Sequence, residues 1–148
     1  MTHEREAQGG HGSKAEDSIR DLLAAEPDIV FAFLFGSRAT GRPRPDSDWD
    51  VGVYFDPSLS SKERGWRRLD LVGRLEDFGP VDLVPINDAD PILAHRVLGG
   101  RPLFIKDESI YCEVFVMVMR MAEDQRYFNR IFDRARAERI AKGDFGRP

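Results

Sequence analysis

Residues 29–55 read IVFAFLFGSRATGRPRPDSDWDVGVYF, and the rest of the chain is best understood outward from them. Ile29 to Phe35 is a continuous apolar run of β-formers between Pro27 and Gly36. It is too short for an ordinary helix and suits a strand buried on both faces. Gly36 to Ser47 is a Gly-, Pro- and Arg-rich connection. A second strand runs from about Trp49 to Phe55 and is ended by Asp56-Pro57. At its start, Asp48 and Asp50 project from one face and Trp49 from the other, because side chains alternate along a strand.

Two carboxylates side by side repel unless a cation sits between them. An isolated Asp-x-Asp is nevertheless more often a solvated strand start, and Gly36-Ser37 alone is more often an ordinary turn than a phosphate cradle. The combination is more specific. Ten residues separate Ser37 from Asp48, and Asp82 lies in a third apolar run, Val81 to Ile86. An Asp in such a run is costly to bury unless it is paired, hydrogen-bonded or metal-bound, although Asp82 could simply cap the preceding turn. For Asp82 to meet Asp48 and Asp50, the second and third strands must start together and run parallel, with a helix as the crossover. Gly36-Ser37 ends the first strand, which must then run antiparallel to the second. The expected fold class is α/β (α+β): a short mixed β-sheet flanked by helices, with its polar chemistry at one edge.

Helices fill the remaining intervals. Ser13 and Glu16 have capping-box spacing ahead of Ile19, Leu22 and Leu23, in a helix that should stop before Pro27. Ser60 and Glu63 offer a second capping box, followed by Trp66, Leu69, Val72, Leu75 and Phe78 as the apolar positions of an amphipathic helix. Trp49 and Trp66 are both read as packing residues. Asp90 as N-cap and Pro91 as first helical residue start a third helix, ending at Gly99-Gly100, and Pro102 to Lys106 is a fourth strand. Residues 109–141 are read as one long C-terminal helix, although Val114 to Met119 could be a strand by propensity alone. That stretch is apolar all round, which suits either a central core helix or a partner surface. The domain reading is a flexible tail at 1–12 and a single domain at 13–148.

Composition narrows the function. The chain has 148 residues, a net charge of −4, and 32% charged against 41% hydrophobic residues. Whole-chain disorder is excluded on that balance. The acidic balance argues against a dedicated nucleic-acid binder, so no direct nucleic-acid binding is expected. Cys112 is the sole cysteine and is read as a buried small hydrophobe. Nothing resembles a secretory signal or a membrane span, so a cytoplasmic protein is expected. His3, His11 and His95 lack zinc-like spacing. Arg126, Arg130, Arg134, Arg136 and Arg139 alternate with acids, as on an exposed helix face.

Phe35-Gly36-Ser37-Arg38-Ala39-Thr40-Gly41 followed by Ser47-Asp48-Trp49-Asp50-Val51 resembles the signature of the nucleotidyltransferase superfamily that includes DNA polymerase β, and most closely its minimal nucleotidyltransferase (MNT) branch. The resemblance covers roughly residues 17 to 106. Thr40 stands where an Arg is common in that branch. The resemblance implies that Gly36 and Ser37 hold the β- and γ-phosphates of ATP. It also implies that Asp48 and Asp50 bind Mg²⁺, and that Asp82 completes a second metal position and helps deprotonate or orient the attacking hydroxyl. Arg38, directly after the cradle, is a candidate to assist the triphosphate, whereas Arg42 and Arg44 are read as solvated loop residues.

Larger members of the superfamily carry extra domains for the acceptor, and this chain has little beyond a catalytic core and one helix. The MNT branch is similar to antitoxins encoded beside a HEPN-domain RNase toxin. What the resemblance implies is transfer of AMP from ATP to a tyrosine of that toxin, as a protein adenylyltransferase in a hetero-oligomer with it. Two alternatives remain: transfer to a small molecule such as an aminoglycoside, or neutralisation of the toxin by binding alone.

Overall fold

The structure, a computed structural model, describes residues 14–40 and 48–143. The tail at 1–12, with His3 and His11, the Ser13 cap, and Arg42, Arg44 and Ser47 lie outside the described residues.

The apolar run forms strand β1 (Ile29–Phe35), and all seven of its residues are buried. Fully burying side chains of this kind stabilises by roughly 1.5–3 kcal/mol each. Around it the sheet is ordered β3-β2-β1-β4, with β2 at Trp49–Phe55, β3 at Val81–Pro85 and β4 at Arg101–Ile105. β1 is antiparallel to both β2 and β4, and β2 is parallel to β3. This is the mixed sheet expected from the placement of the three aspartates.

Helices α1 (Lys14–Ala24) and α2 (Ser61–Leu75) cover one face, where Ile19, Leu23, Leu71 and Leu75 pack with Leu34, Trp49, Val51 and Leu83. Helices α3 (Pro91–Leu98) and α4 (Glu108–Ala141) cover the other, where Ala94, Val97, Val114 and Val118 pack with Phe31, Phe33 and Phe35. Caps occur where the sequence places them: the Ser60 hydroxyl accepts from the Glu63 amide at 3.1 Å, and the Asp90 carboxylate from Ile92 and Leu93 at 3.0 Å each. Arg67 of α2 ties its helix to the turn before β1, donating to Asp28 at 2.6 Å and to Glu26 at 2.9 Å.

Two expectations need correcting. Trp66 and Leu69 are 65% and 59% exposed, although Leu71 and Leu75 are buried. A strict three-residue spacing slips about 60° per step on a helix of 3.6 residues per turn, so the stripe leaves the core face as it runs back from Leu75. Cys112 is exposed, because α4 packs on the body through the face that carries Tyr111, Val114, Val118 and Ala122. Val114 to Met119 is helical and only partly covered, with Val116 and Met117 on the outside. Beyond Ala122 the helix runs on with Phe128, Ile131 and Phe132 exposed. Among the described residues no helix is long and apolar enough to cross a membrane.

Contact of α3 with the sheet depends on Gly52, where an added Cβ would lie 2.2 Å from Val97 Cγ1. Gly52→Ala is expected to destabilise by about 1–3 kcal/mol through overpacking against a stiff β-branched neighbour. In urea melts the Gly52→Ala/Val97→Ala double variant should cost less than the sum of its singles, and simple additivity would refute the contact. A second prediction concerns pH. Asp88 lies below the usual carboxylate range, chiefly because Arg64 donates to it, at 2.8 and 2.7 Å. A depressed folded-state pKa gives stability present above the unfolded value and lost as pH falls through the folded one. Wild type should therefore exceed Asp88→Asn by about 0.5–1 kcal/mol at pH 7, discounted for solvent screening, and the gap in Tm should close as pH drops below about 4.

Candidate nucleotide site

The turn leaving β1 and the start of β2 are brought together by register. Phe35 pairs with Asp50 across the antiparallel ladder, and Asp50 pairs with Asp82 across the parallel one. Asp50 thus sits between the Gly36-Ser37 turn on one side and Asp82 on the other. Trp49 fixes this strand start from the opposite face: its amide donates to the Pro80 carbonyl at 2.8 Å and its indole N–H to the Phe78 carbonyl at 3.2 Å.

Gly36 adopts φ +75°, and an added Cβ would stand 2.2 Å from Asp50 Oδ2, so both the backbone conformation and the space require glycine. The turn is closed by the Ala39 amide donating to the Gly36 carbonyl at 3.1 Å and by the Thr40 hydroxyl donating to the Ser37 carbonyl at 2.8 Å. Thr40 therefore has a local job in shaping the turn. Ser37 and Asp48 are exposed, Asp50 is half-buried and Asp82 is exposed.

Asp50 is pushed above the ordinary carboxylate range, first by burial, then by the charges of Asp82 and Asp48, against an opposing pull from Arg96. The three predicted carboxylates are thus close enough to be felt at Asp50. Among the described residues no three His, Cys, Asp or Glu side chains are closed up into a metal-ligating group. The donor set nonetheless suits a hard divalent cation: carboxylate oxygens only, two of them on directly paired strand positions, with repulsion that a cation would relieve.

Arg38 follows the cradle in sequence, but its guanidinium lies 4.1 Å from the Trp49 ring centroid, on the sheet face opposite Asp50. A pocket of about 470 Å³ opens at the turn, walled by Gly36, Ser37, Thr40, Arg96, Gly100 and Arg101. Arg38 does not line it, and Arg96, which sequence reasoning passed over, does. Gly100 is held tightly there, since an added Cβ would meet the Leu34 carbonyl oxygen at 2.2 Å. The available signal was the run Arg96 to Arg101, with its paired glycines between two arginines; it became meaningful only once Leu34 was seen to pair with Arg101. A second cavity of about 310 Å³, lined by Tyr54, Arg64, Asn87, Met117 and Met121 among others, includes none of the three aspartates.

Gly36→Ala should lower stability by about 1–3 kcal/mol, combining strain at positive φ with displacement of the Asp50 carboxylate. In an Asp50→Ala background the same change should cost measurably less, because the clash with the carboxylate is gone while the φ strain remains. Equal costs in both backgrounds, read from denaturant midpoints, would show that the turn and the carboxylate are not in contact.

The comparisons with known proteins bear on the same residues. A family model described as "Polymerase beta, Nucleotidyltransferase" matches residues 17–109. "Protein adenylyltransferase MntA" of Aphanizomenon flos-aquae (strain 2012/KM1/D3) is 32% identical over 90 residues, covering 55% of this chain and 59% of that relative. The match thus spans less than two thirds of the relative's length. Among solved structures, a chain from a toxin-antitoxin with AMP-PNP has a TM-score of 0.57 at 22% identity, over 88% of this chain and 96% of that one. A chain from the tri-AMPylated Shewanella oneidensis HEPN toxin in complex with MNT antitoxin has a TM-score of 0.54 at 22% identity, over 88% and 93%. At these identities the two structures speak for the fold alone. The family model, however, spans more than half of the chain and takes in the Gly-Ser turn, Asp48, Asp50 and Asp82, and the chain belongs to the polymerase β nucleotidyltransferase family.

Proposed function

We propose that the chain transfers AMP from ATP to a tyrosine hydroxyl of a HEPN-domain RNase toxin and acts as its antitoxin in the cytoplasm, in a hetero-oligomer with it. Residues 13–148 work in this reading as one nucleotidyltransferase domain. The carrying observation is the register that sets Asp50 between the Gly36-Ser37 turn and Asp82. Support for the acceptor comes from the relative named protein adenylyltransferase MntA and from the solved complex of a tri-AMPylated HEPN toxin with an MNT antitoxin.

Gly36 and Ser37 cradle the β- and γ-phosphates, with backbone amides and the Ser37 hydroxyl as donors. Arg38, stacked on Trp49, braces the cradle from the far face and adds positive charge beside it. Asp48, Asp50 and Asp82 would hold Mg²⁺, which when bound offsets charge on the attacking and leaving oxygens. The phenolic oxygen attacks the α-phosphorus in line, the bond from that phosphorus to the bridging oxygen breaks, and its electron pair leaves with pyrophosphate. Asp82 receives the phenolic proton. No side chain forms a covalent intermediate, so the residues act by positioning and by electrostatics.

Intact-mass spectrometry of the HEPN partner, incubated with this chain, Mg²⁺ and each nucleoside triphosphate in turn, tests the reading. The expected result is a gain of one or more AMP units with ATP, reduced roughly two to three orders of magnitude in rate by Asp48→Ala with Asp50→Ala. A stable complex without any mass gain would make the chain a binding antitoxin instead. Neither gain nor complex would turn the search to small-molecule acceptors.

A further inference from the structure

We infer that Arg96, in the last turn of α3, is the residue that holds the pyrophosphate portion of the nucleoside triphosphate opposite Gly36 and Ser37, and so sets the preference for a triphosphate over a monophosphate. This rests on the nucleotidyltransferase reading above and adds a residue that neither the motif nor its spacing names.

Three observations converge on Arg96. The first is position: it lines the pocket of about 470 Å³ together with Gly36 and Ser37. Val97, its neighbour, is wedged against Gly52, two residues from Asp50 on the same sheet face, so α3 has little freedom to carry Arg96 away.

The second is availability. Two cations line the pocket, Arg96 and Arg101. Arg101 is already committed, donating to both Glu16 carboxylate oxygens at 2.6 and 2.8 Å. Arg96 is exposed and makes no hydrogen bond or ion pair among the described residues. A guanidinium kept unpaired beside exposed backbone and a hydroxyl is suited to bidentate capture of phosphate oxygens.

The third is electrostatic need. The pocket is bordered by Gly99 and Gly100, hence by the C-terminal end of α3, whose partial charge of about −0.5 disfavours an anion. None of the three aspartates lines the pocket, but Asp50 packs against Gly36 and is paired with Asp82. A polyphosphate entering the pocket meets negative potential from the helix end and from these carboxylates, and Arg96 is the positive side chain in the pocket wall that is free to offset it. Placed on the leaving group, Arg96 would also stabilise the charge that pyrophosphate gains as the bond to the α-phosphorus breaks.

Equilibrium binding of ATP, inorganic pyrophosphate and AMP, each with Mg²⁺, to the full chain tests this in wild type, Arg96→Gln and Arg96→Lys. Arg96→Gln should weaken ATP and pyrophosphate by about tenfold or more while leaving AMP within about twofold. Arg96→Lys should recover part of the loss, since it restores charge but not the planar fork. Because Arg96 is exposed, both variants should fold, and the Lys variant carries the test should the Gln variant not. In transfer assays the loss should show in KM for ATP together with a fall in kcat. Unchanged ATP and pyrophosphate affinity in Arg96→Gln would overturn the assignment, as would AMP weakening in parallel with ATP. Wild type binding neither ATP nor pyrophosphate would overturn the nucleotidyltransferase reading itself, whereas normal wild-type binding with an indifferent Arg96→Gln overturns only the role of Arg96.

Discussion

Pairing of β2 between an antiparallel neighbour and a parallel one is the constraint from which the rest of the structure follows. The antiparallel ladder to β1 returns the Gly36 turn to Asp50, and the parallel ladder to β3 delivers Asp82 to the same level. A parallel neighbour demands a crossover, and α2 supplies it. Main-chain hydrogen bonds hold both registers, so the carboxylates are brought together by backbone, against their mutual repulsion. A one-residue slip of β2 would send Asp50 to the α1–α2 side and Trp49 to the α3–α4 side, which the burial of Trp49 opposes.

The sheet divides the work between its faces. On the α1–α2 side, Trp49 takes the Phe78 and Pro80 carbonyls as partners and carries the Arg38 guanidinium on its ring. On the α3–α4 side, Gly52 meets α3, with Val97 pressed on the glycine, and Asp50 shares that face two residues earlier. Two arginines associated with the cradle thereby part company. Arg38, adjacent in sequence, goes to the anchoring face, and Arg96, about sixty residues later, comes to the pocket. Sequence proximity to a motif is a weak guide to chemistry in a turn, because a change of one residue there changes the face a side chain reaches.

What could be read in the sequence followed strong local signals. The apolar run at 29–35, the capping residues Ser60 and Asp90, and the requirement that three aspartates converge were enough to give strand directions and the crossover. The errors arose where tertiary context outweighs pattern. Trp66 and Leu69 matched an apolar stripe only by ignoring helical drift. Cys112 was assigned to the interior by residue type, although α4 buries a narrow strip. Arg96 carried no motif at all, and its place depends on a glycine in β2 and on the pairing of β4 with β1.

Asp50 shows why such a site is built on backbone. Burial and two like charges push its pKa up, so without a counter-charge the cluster opposes the fold that forms it. Side chains alone could rotate away from one another, and the three carboxylates do remain short of a closed ligating set. What they cannot do is leave the sheet edge, since Phe35, Asp50 and Asp82 are consecutive partners across three strands and Gly36 is packed onto the Asp50 carboxylate. Rigidity in the ladder with freedom in the side chains leaves the last step of assembly to the incoming cations and phosphates. A donor whose charge complements both the aspartates and Arg96 can then lower the free energy of the whole arrangement, which an uncharged ligand of the same size cannot.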